Sequence, residues 1–249
     1  MAKLNDLRVK IFADGADLDG IKAMSARPWI KGFTTNPTLM RKAGVENYKA
    51  FAVAVLRAIS DRPISFEVLA DDFDEMETQA LEIATWGRNV NVKIPITNTK
   101  REFAGALIHR LSKAGVHLNI TAVFTLDQVR AVVDHLAPEM PAIISLFAGR
   151  IADTGTDPLP LMREALRIMS HKPKLELLWA SPREVLNIVQ AHAVGCHIIT
   201  VTTDLLNKVS LLGKDHDEYS LETVEMFYRD AAAAGYSIPV LKAKKTVSA

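Results

Sequence analysis

The sequence predicts an α/β fold of the (β/α)8 TIM-barrel type, on three observations. Eight short β-type runs, most of them rich in Val, Ile and Leu, each precede a longer amphipathic stretch. The length of 249 residues, with 49% hydrophobic and 24% charged, suits one large core, so a single barrel domain over 1–249 is expected. No G-x-G-x-x-G motif follows an early strand, so the usual mark of a doubly wound sheet is missing.

The units follow in order. A β-type run at 9–13 leads to a helical stretch at 18–26, and a shorter one at 32–34 leads through a turn to 48–59. The run at 64–68 precedes 74–86, where Met76, Ala80, Ile83 and Ala84 recur on one helical face. Residues 90–94 precede 101–114, 116–121 precede 126–136, and 142–146 precede 159–169. The last two pairs are 175–179 with 183–194 and 197–201 with 204–212. A further C-terminal helix is expected over 221–234, followed by a tail at 236–249 that carries basic residues at 242–245. The Asp215, His216, Asp217, Glu218 run reads as a solvated loop.

Composition narrows the function classes. Lys+Arg of 30 against Asp+Glu of 29 gives a net charge of +1, which offers no electrostatic footprint for nucleic acid. The single cysteine, Cys196, excludes an intramolecular disulfide and suits a reducing cytoplasm. No stretch approaches the ~18 consecutive apolar residues of a membrane span, and 1–10 lacks the apolar centre of a signal peptide. A soluble cytoplasmic protein is therefore expected. The seven histidines show no H-E-x-x-H or comparable spacing, so no metal is expected.

In such barrels chemistry sits at the C-terminal strand ends. There the sequence puts Asp14, Thr34, Thr35, Asn36, Glu67, Lys93, Asn119, Thr121, Ser145 and Ser181, with Arg150 and Arg183 just beyond. Polar groups in nearly every otherwise apolar run are not what core packing asks for. Lys93 stands out, inside Val92-Lys93-Ile94-Pro95. A buried ammonium without a partner costs several kcal/mol, roughly, so Lys93 either finds a carboxylate or becomes a neutral amine, which is a nucleophile toward carbonyls. Plainer readings stand beside this one. Asp14 could cap a turn or helix, Asn36 before Pro37 could start a turn, and Ser181 could cap the helix that follows. Glu67 could form a structural pair with Lys93, and Arg150 a surface bridge with Asp153.

Four motifs decide between them: Thr34-Thr35-Asn36-Pro37, Val92-Lys93-Ile94-Pro95, Asn119-Ile120-Thr121 and Gly149-Arg150-Ile151-Ala152-Asp153. Together they resemble the transaldolase family, including its short-chain branch related to fructose 6-phosphate aldolase. The resemblance implies a cofactor-free Schiff-base transferase that moves a dihydroxyacetone unit from a ketose phosphate to an aldose phosphate. It implies Lys93 as the imine-forming lysine, Asp14 as a proton-transfer group, and Glu67 as an acid/base acting through a water that Thr121 helps hold. It also implies Thr35, Asn36, Asn119 and Ser145 as sugar contacts, Arg150, Ser181 and Arg183 as the phosphate site, and a homo-oligomer. Glu67 and Phe147 stand where the aldolase branch typically has glutamine and tyrosine, which favours transfer over cleavage. Leu146, Trp179 and Pro182 depart from the family pattern at positions expected to border the anion site, leaving a sulfonated sugar as an alternative substrate.

Overall fold

Alternation along eight strands decides which side chains enter a barrel and which meet its helices. The computed structural model describes residues 4–239. Its strands are β1 (Lys10–Asp14), β2 (Ile30–Thr34), β3 (Ile64–Glu67), β4 (Val90–Pro95), β5 (Leu118–Val123), β6 (Ala142–Leu146), β7 (Leu175–Trp179) and β8 (Ile198–Thr202). They pair in sequence order, all parallel, and β8 closes on β1. Among the described residues the chain divides into two compact units, 4–212 and 213–239.

In the barrel unit the outward strand residues are almost wholly apolar and buried, as Ile64, Phe66, Val92, Ile94, Leu177 and Ile199 illustrate. They pack under α1 (Leu18–Ser25), α3 (Tyr48–Ala58), α4 (Phe73–Ala84), α5 (Gly105–Lys113), α6 (Leu126–His135), α8 (Leu159–Met169) and α9 (Leu186–Val194). The lumen is layered instead. An apolar plug of Phe12, Ile143, Leu178, Ala180 and Ile198 fills its middle. Gly32 admits this plug, because a Cβ there would lie 2.6 Å from the Phe12 ring. The next inward residues toward the C-terminal ends are polar: Asp14 after Phe12 on β1, Ser145 after Ile143 on β6, Thr200 after Ile198 on β8.

Local chemistry moves several boundaries. A short helix, α2 (Pro37–Lys42), stands where a turn was expected, and another, α7 (Ala148–Ala152), lies in the stretch between 146 and 159 to which no element was assigned. α2 forms because Asn36 caps it, accepting from Leu39 N at 3.0 Å, with Pro37 in its first turn. α5 begins at Gly105 rather than 101, since Asn98 Oδ1 takes the amides of Lys100 and Glu102, both at 3.0 Å, into a loop with Arg101 at φ 67°. α9 begins at Leu186 because Asn187 Oδ1 accepts from Arg183 N at 2.7 Å and Glu184 N at 3.2 Å. The stretch 204–212 breaks into α10 (Thr203–Asn207) and a 3-10 turn, Val209–Leu211.

The second unit is α11 (His216–Ala233) with its flanks. Here the expectation of a solvated loop at Asp215 to Glu218 is corrected. Asp215 is the helix N-cap, accepting from Asp217 N at 2.9 Å and Glu218 N at 3.1 Å, and the acidic residues form the first turn, where the helix dipole favours them. Of the expected tail, 240–249 lies outside the described residues, including 242–245. No helix among the described residues is long and apolar enough to cross a membrane.

Candidate active site

Register builds the centre of the site. Glu67, last on β3, lies opposite Lys93 on β4, and Lys93 lies opposite Asn119 on β5. All three point into the lumen. Lys93 Nζ sits 2.8 Å from Glu67 Oε2 and donates to the Thr35 carbonyl at 3.0 Å. The two side chains are 10% and 18% exposed, so this pair is far drier than an ordinary surface bridge. Glu67 is held from behind: its backbone N–H donates to Tyr48 Oη at 2.7 Å, and that hydroxyl donates to the Glu67 carbonyl at 2.9 Å. Edge-on contacts with Phe66 and Trp86 fix the Tyr48 ring, and burial pushes its phenol further up, so it remains a neutral donor.

Asp14 faces this pair from β1. Burial pushes its carboxyl above the ordinary range, opposed by the charge of Lys93 and by a hydrogen bond from Thr34 Oγ1 at 2.7 Å. The plainer reading of Asp14 as a helix cap does not hold, since Asp17 caps α1. Across the lumen Asn119 Nδ2 donates to Ser65 Oγ at 3.1 Å, and Ser145 Oγ donates to Asn119 Oδ1 at 2.6 Å, which fixes both groups as buried polar contacts.

Asp14, Thr34, Glu67, Lys93, Asn119 and Ser145 line a cavity of about 580 Å³ at the C-terminal mouth of the barrel, with Thr121, Phe147, Arg150, Ser181 and Arg183. A register shift on β5 after Ile120 puts Ala122 at φ 59° and brings it beside Thr121 on the wall. Ser181 is at φ 58°; it does not cap α9, whose first turn starts five residues later. Its carbonyl lies so near α7 that a Cβ on Gly149 would sit 1.5 Å away, so only glycine lets α7 approach β7 and carry Arg150 to the rim. Asp153 does form a surface bridge, with Arg183 rather than Arg150: Arg183 Nε donates to both carboxylate oxygens, at 2.9 and 3.1 Å. Arg150 lies over the Phe147 ring at 5.5 Å, and that ring meets Phe124 at a tilt of 36°, with centroids 5.4 Å apart.

Of the expected site residues, the structure gathers all but one around the cavity. Thr35 is the exception: its side chain is fully buried and donates to Ser65 O at 3.0 Å, so only its carbonyl serves, as an acceptor for Lys93. Asn36 both caps α2 and lines the cavity. Trp179, expected beside the anion site, is instead in the core outside the strands, and neither Leu146 nor Pro182 lines the cavity. Sequence reasoning missed Tyr48, Thr38, Lys42 and Thr200. The alternation of β8 from Ile198 could have found Thr200; Lys42 became visible only with α2. Among the described residues no group of three His, Cys, Asp or Glu side chains could hold a metal.

Comparison with known proteins agrees with the motifs. The Transaldolase/Fructose-6-phosphate aldolase family model matches residues 11–245. A probable transaldolase of Dehalococcoides mccartyi is 36% identical over 199 residues, 80% of this chain and 88% of the relative. One of a Thermoanaerobacter species is 33% identical over 203 residues, again 80% and 88%. Among solved structures, dihydrodipicolinate synthase from Rhodopseudomonas palustris superposes with a TM-score of 0.56 at 13% identity, covering 92% of this chain and 81% of that one, a likeness of barrel fold alone. With the closed barrel and the motif residues at its mouth, these findings make the chain a transaldolase-type enzyme belonging to the transaldolase/fructose-6-phosphate aldolase family.

Proposed function

We propose that the protein transfers a dihydroxyacetone unit from a ketose phosphate, of the fructose 6-phosphate or sedoheptulose 7-phosphate type, to an aldose phosphate through a Schiff base on Lys93. The observation that carries this reading is the buried Lys93–Glu67 pair facing Asp14 in one cavity. An amine attacks a ketone only when unprotonated, and Glu67 at 2.8 Å is placed to take the ammonium proton. Loss of water from the carbinolamine gives an iminium. This draws the electrons of the adjacent carbon–carbon bond as Asp14 takes the proton of the donor hydroxyl and the aldehyde product leaves. The remaining three-carbon enamine attacks the carbonyl of the acceptor, Asp14 returns the proton to the new hydroxyl, and hydrolysis frees Lys93. Glu67 serves these proton steps through a water that Thr121 helps hold.

Asn119, Ser145 and Asn36 supply polar contacts for the sugar. Arg150, Ser181 and Arg183 suit a tetrahedral anion, since guanidinium groups bind such oxygens in pairs. Phe147, packed between Phe124 and Arg150, gives that wall no hydroxyl, which supports transfer over release of free dihydroxyacetone. On this reading the protein is cytoplasmic and cofactor-free. The exposed Phe227 and Tyr228 of α11 support the expectation of a homo-oligomer.

Mixing the enzyme with fructose 6-phosphate and borohydride tests the reading, because borohydride converts an imine to a stable amine. The expected result is one adduct by intact mass, mapping to Lys93. An adduct only with a sulfonated ketose changes the substrate and keeps the mechanism; no adduct with any ketose overturns it.

A further inference from the structure

Three side chains from neighbouring strands meet on the cavity floor. Thr34 of β2 donates to Asp14 Oδ1 at 2.7 Å, and the hydroxyls of Thr34 and Thr200, the latter on β8, hydrogen-bond each other. Both threonines are buried, 3% and 7% exposed. Thr34 has one hydroxyl proton. With that proton on Asp14, its oxygen can only accept in the second contact, so Thr200 is the donor. The chain therefore runs one way, from Thr200 through Thr34 to the carboxylate.

Asp14 needs such support. Burial disfavours its charge; Lys93 opposes burial and Glu67 reinforces it. Yet Lys93 and Glu67 are the groups whose charge changes as the imine forms and breaks. The cations Lys42, Arg150 and Arg183 line the same cavity but are exposed to water, which screens them. The two hydroxyls do not titrate, so their hold on Asp14 persists through every stage. A donor behind Thr34 also polarises its hydroxyl and strengthens the bond it gives.

We propose that Thr200 is a positioning residue: by donating to Thr34 it fixes the Thr34 hydroxyl on Asp14 and keeps Asp14 a carboxylate able to receive the substrate's proton. This rests on the reading of Asp14 as the proton-transfer group, so the test follows Asp14 directly as well as turnover. In protein carrying 13C-labelled aspartate, the Asp14 carboxyl resonance, assigned by its loss in Asp14→Asn, is titrated in wild type, Thr200→Val, Thr200→Ser and Thr34→Val. Thr200→Val is expected to titrate at higher pH than wild type, Thr34→Val higher still, and Thr200→Ser with the wild type. In turnover, Thr200→Val is expected to move the acid limb of kcat/KM upward in pH and cost about threefold to tenfold at neutral pH, the range for a lost buried hydrogen bond. A Thr200→Val titration that coincides with wild type, or a Thr200→Ser that titrates with Thr200→Val, overturns the proposal. A titration that moves while the acid limb stays fixed supports the hydroxyl chain and removes Asp14 from the proposed transfer step.

Discussion

The barrel holds a lysine–glutamate pair at each end, and they differ in almost everything except chemistry. At the C-terminal mouth Lys93 and Glu67 come from adjacent strands, 10% and 18% exposed, with a backbone carbonyl on the ammonium. At the opposite end Lys10 of β1 and Glu176 of β7 reach each other across β8, 42% and 34% exposed, beside a smaller cavity of about 300 Å³. Water at the second pair repays most of what the contact gains, so such bridges contribute about 0–1 kcal/mol. Removing one partner of a buried pair costs about 3–5 kcal/mol, because the other charge stays behind. That cost buys reactivity: a charge that must be neutralised within the fold is one that can be moved during a reaction.

Substituting the lysines should separate the two ends most widely. Lys93→Met is expected to abolish the borohydride adduct and reduce transfer to the uncatalysed background. Lys10→Met should keep the adduct and hold kcat/KM within about twofold, as exposed pairs do. Equal losses in the two variants would mean that burial is not what distinguishes the pairs.

A smaller effect is expected from the carboxylates. Glu67→Gln keeps the shape and removes the proton acceptor, so transfer should fall about a hundredfold to ten-thousandfold. The residual turnover should shift toward free dihydroxyacetone, measurable by coupled assays for both products. Glu176→Gln should leave the product ratio unchanged. Unaltered transfer in Glu67→Gln would remove its assigned role.

The smallest effects lie in stability against pH, and the two ends should respond with opposite sign. Burial raises Asp14 from its ordinary 3.8, so the folded state holds a proton that the unfolded chain releases. Stability is lost as pH rises from 3.8 through the folded value, and Asp14→Asn should raise Tm at pH 8 with the gain fading in acid. His197, before β8 at the other end, is lowered from 6.5 by burial, and its Nδ1 accepts from Leu177 N at 3.0 Å. The unfolded chain takes up that proton first, so stability falls as pH drops below 6.5, and His197→Asn should flatten that acid slope. A Tm gain for Asp14→Asn that persists undiminished in acid would rule out its titration as the cause.

Much of this was legible without coordinates. Eight apolar runs with intervening amphipathic stretches contain the barrel, because strand and helix periodicities are local properties of the chain. The mouth residues were legible for the same reason: a polar residue at the end of an apolar run, as at Asp14 and Glu67, or inside one, as at Lys93, violates packing without local cause. Helix starts were misjudged by three to five residues where one side chain captures backbone amides, as Asn98, Asn187 and Asp215 do, since such bonds fix the local backbone more firmly than the hydrophobic pattern does.

The sequence by itself determined the strand alternation, the nucleophile candidate and the family motifs, all of which follow from residue type and spacing. Only the tertiary structure decided who meets whom. Closure brings β8 to β1 and so Thr200 to Thr34, the register of β3 on β4 sets Glu67 against Lys93, and Tyr48 finds Glu67 from a helix nineteen residues upstream. It also turned Thr35 away from the cavity and gave Asp153 to Arg183. Such contacts join residues far apart in the chain, and their distances are fixed by packing around a closed sheet rather than by any pattern a single segment carries.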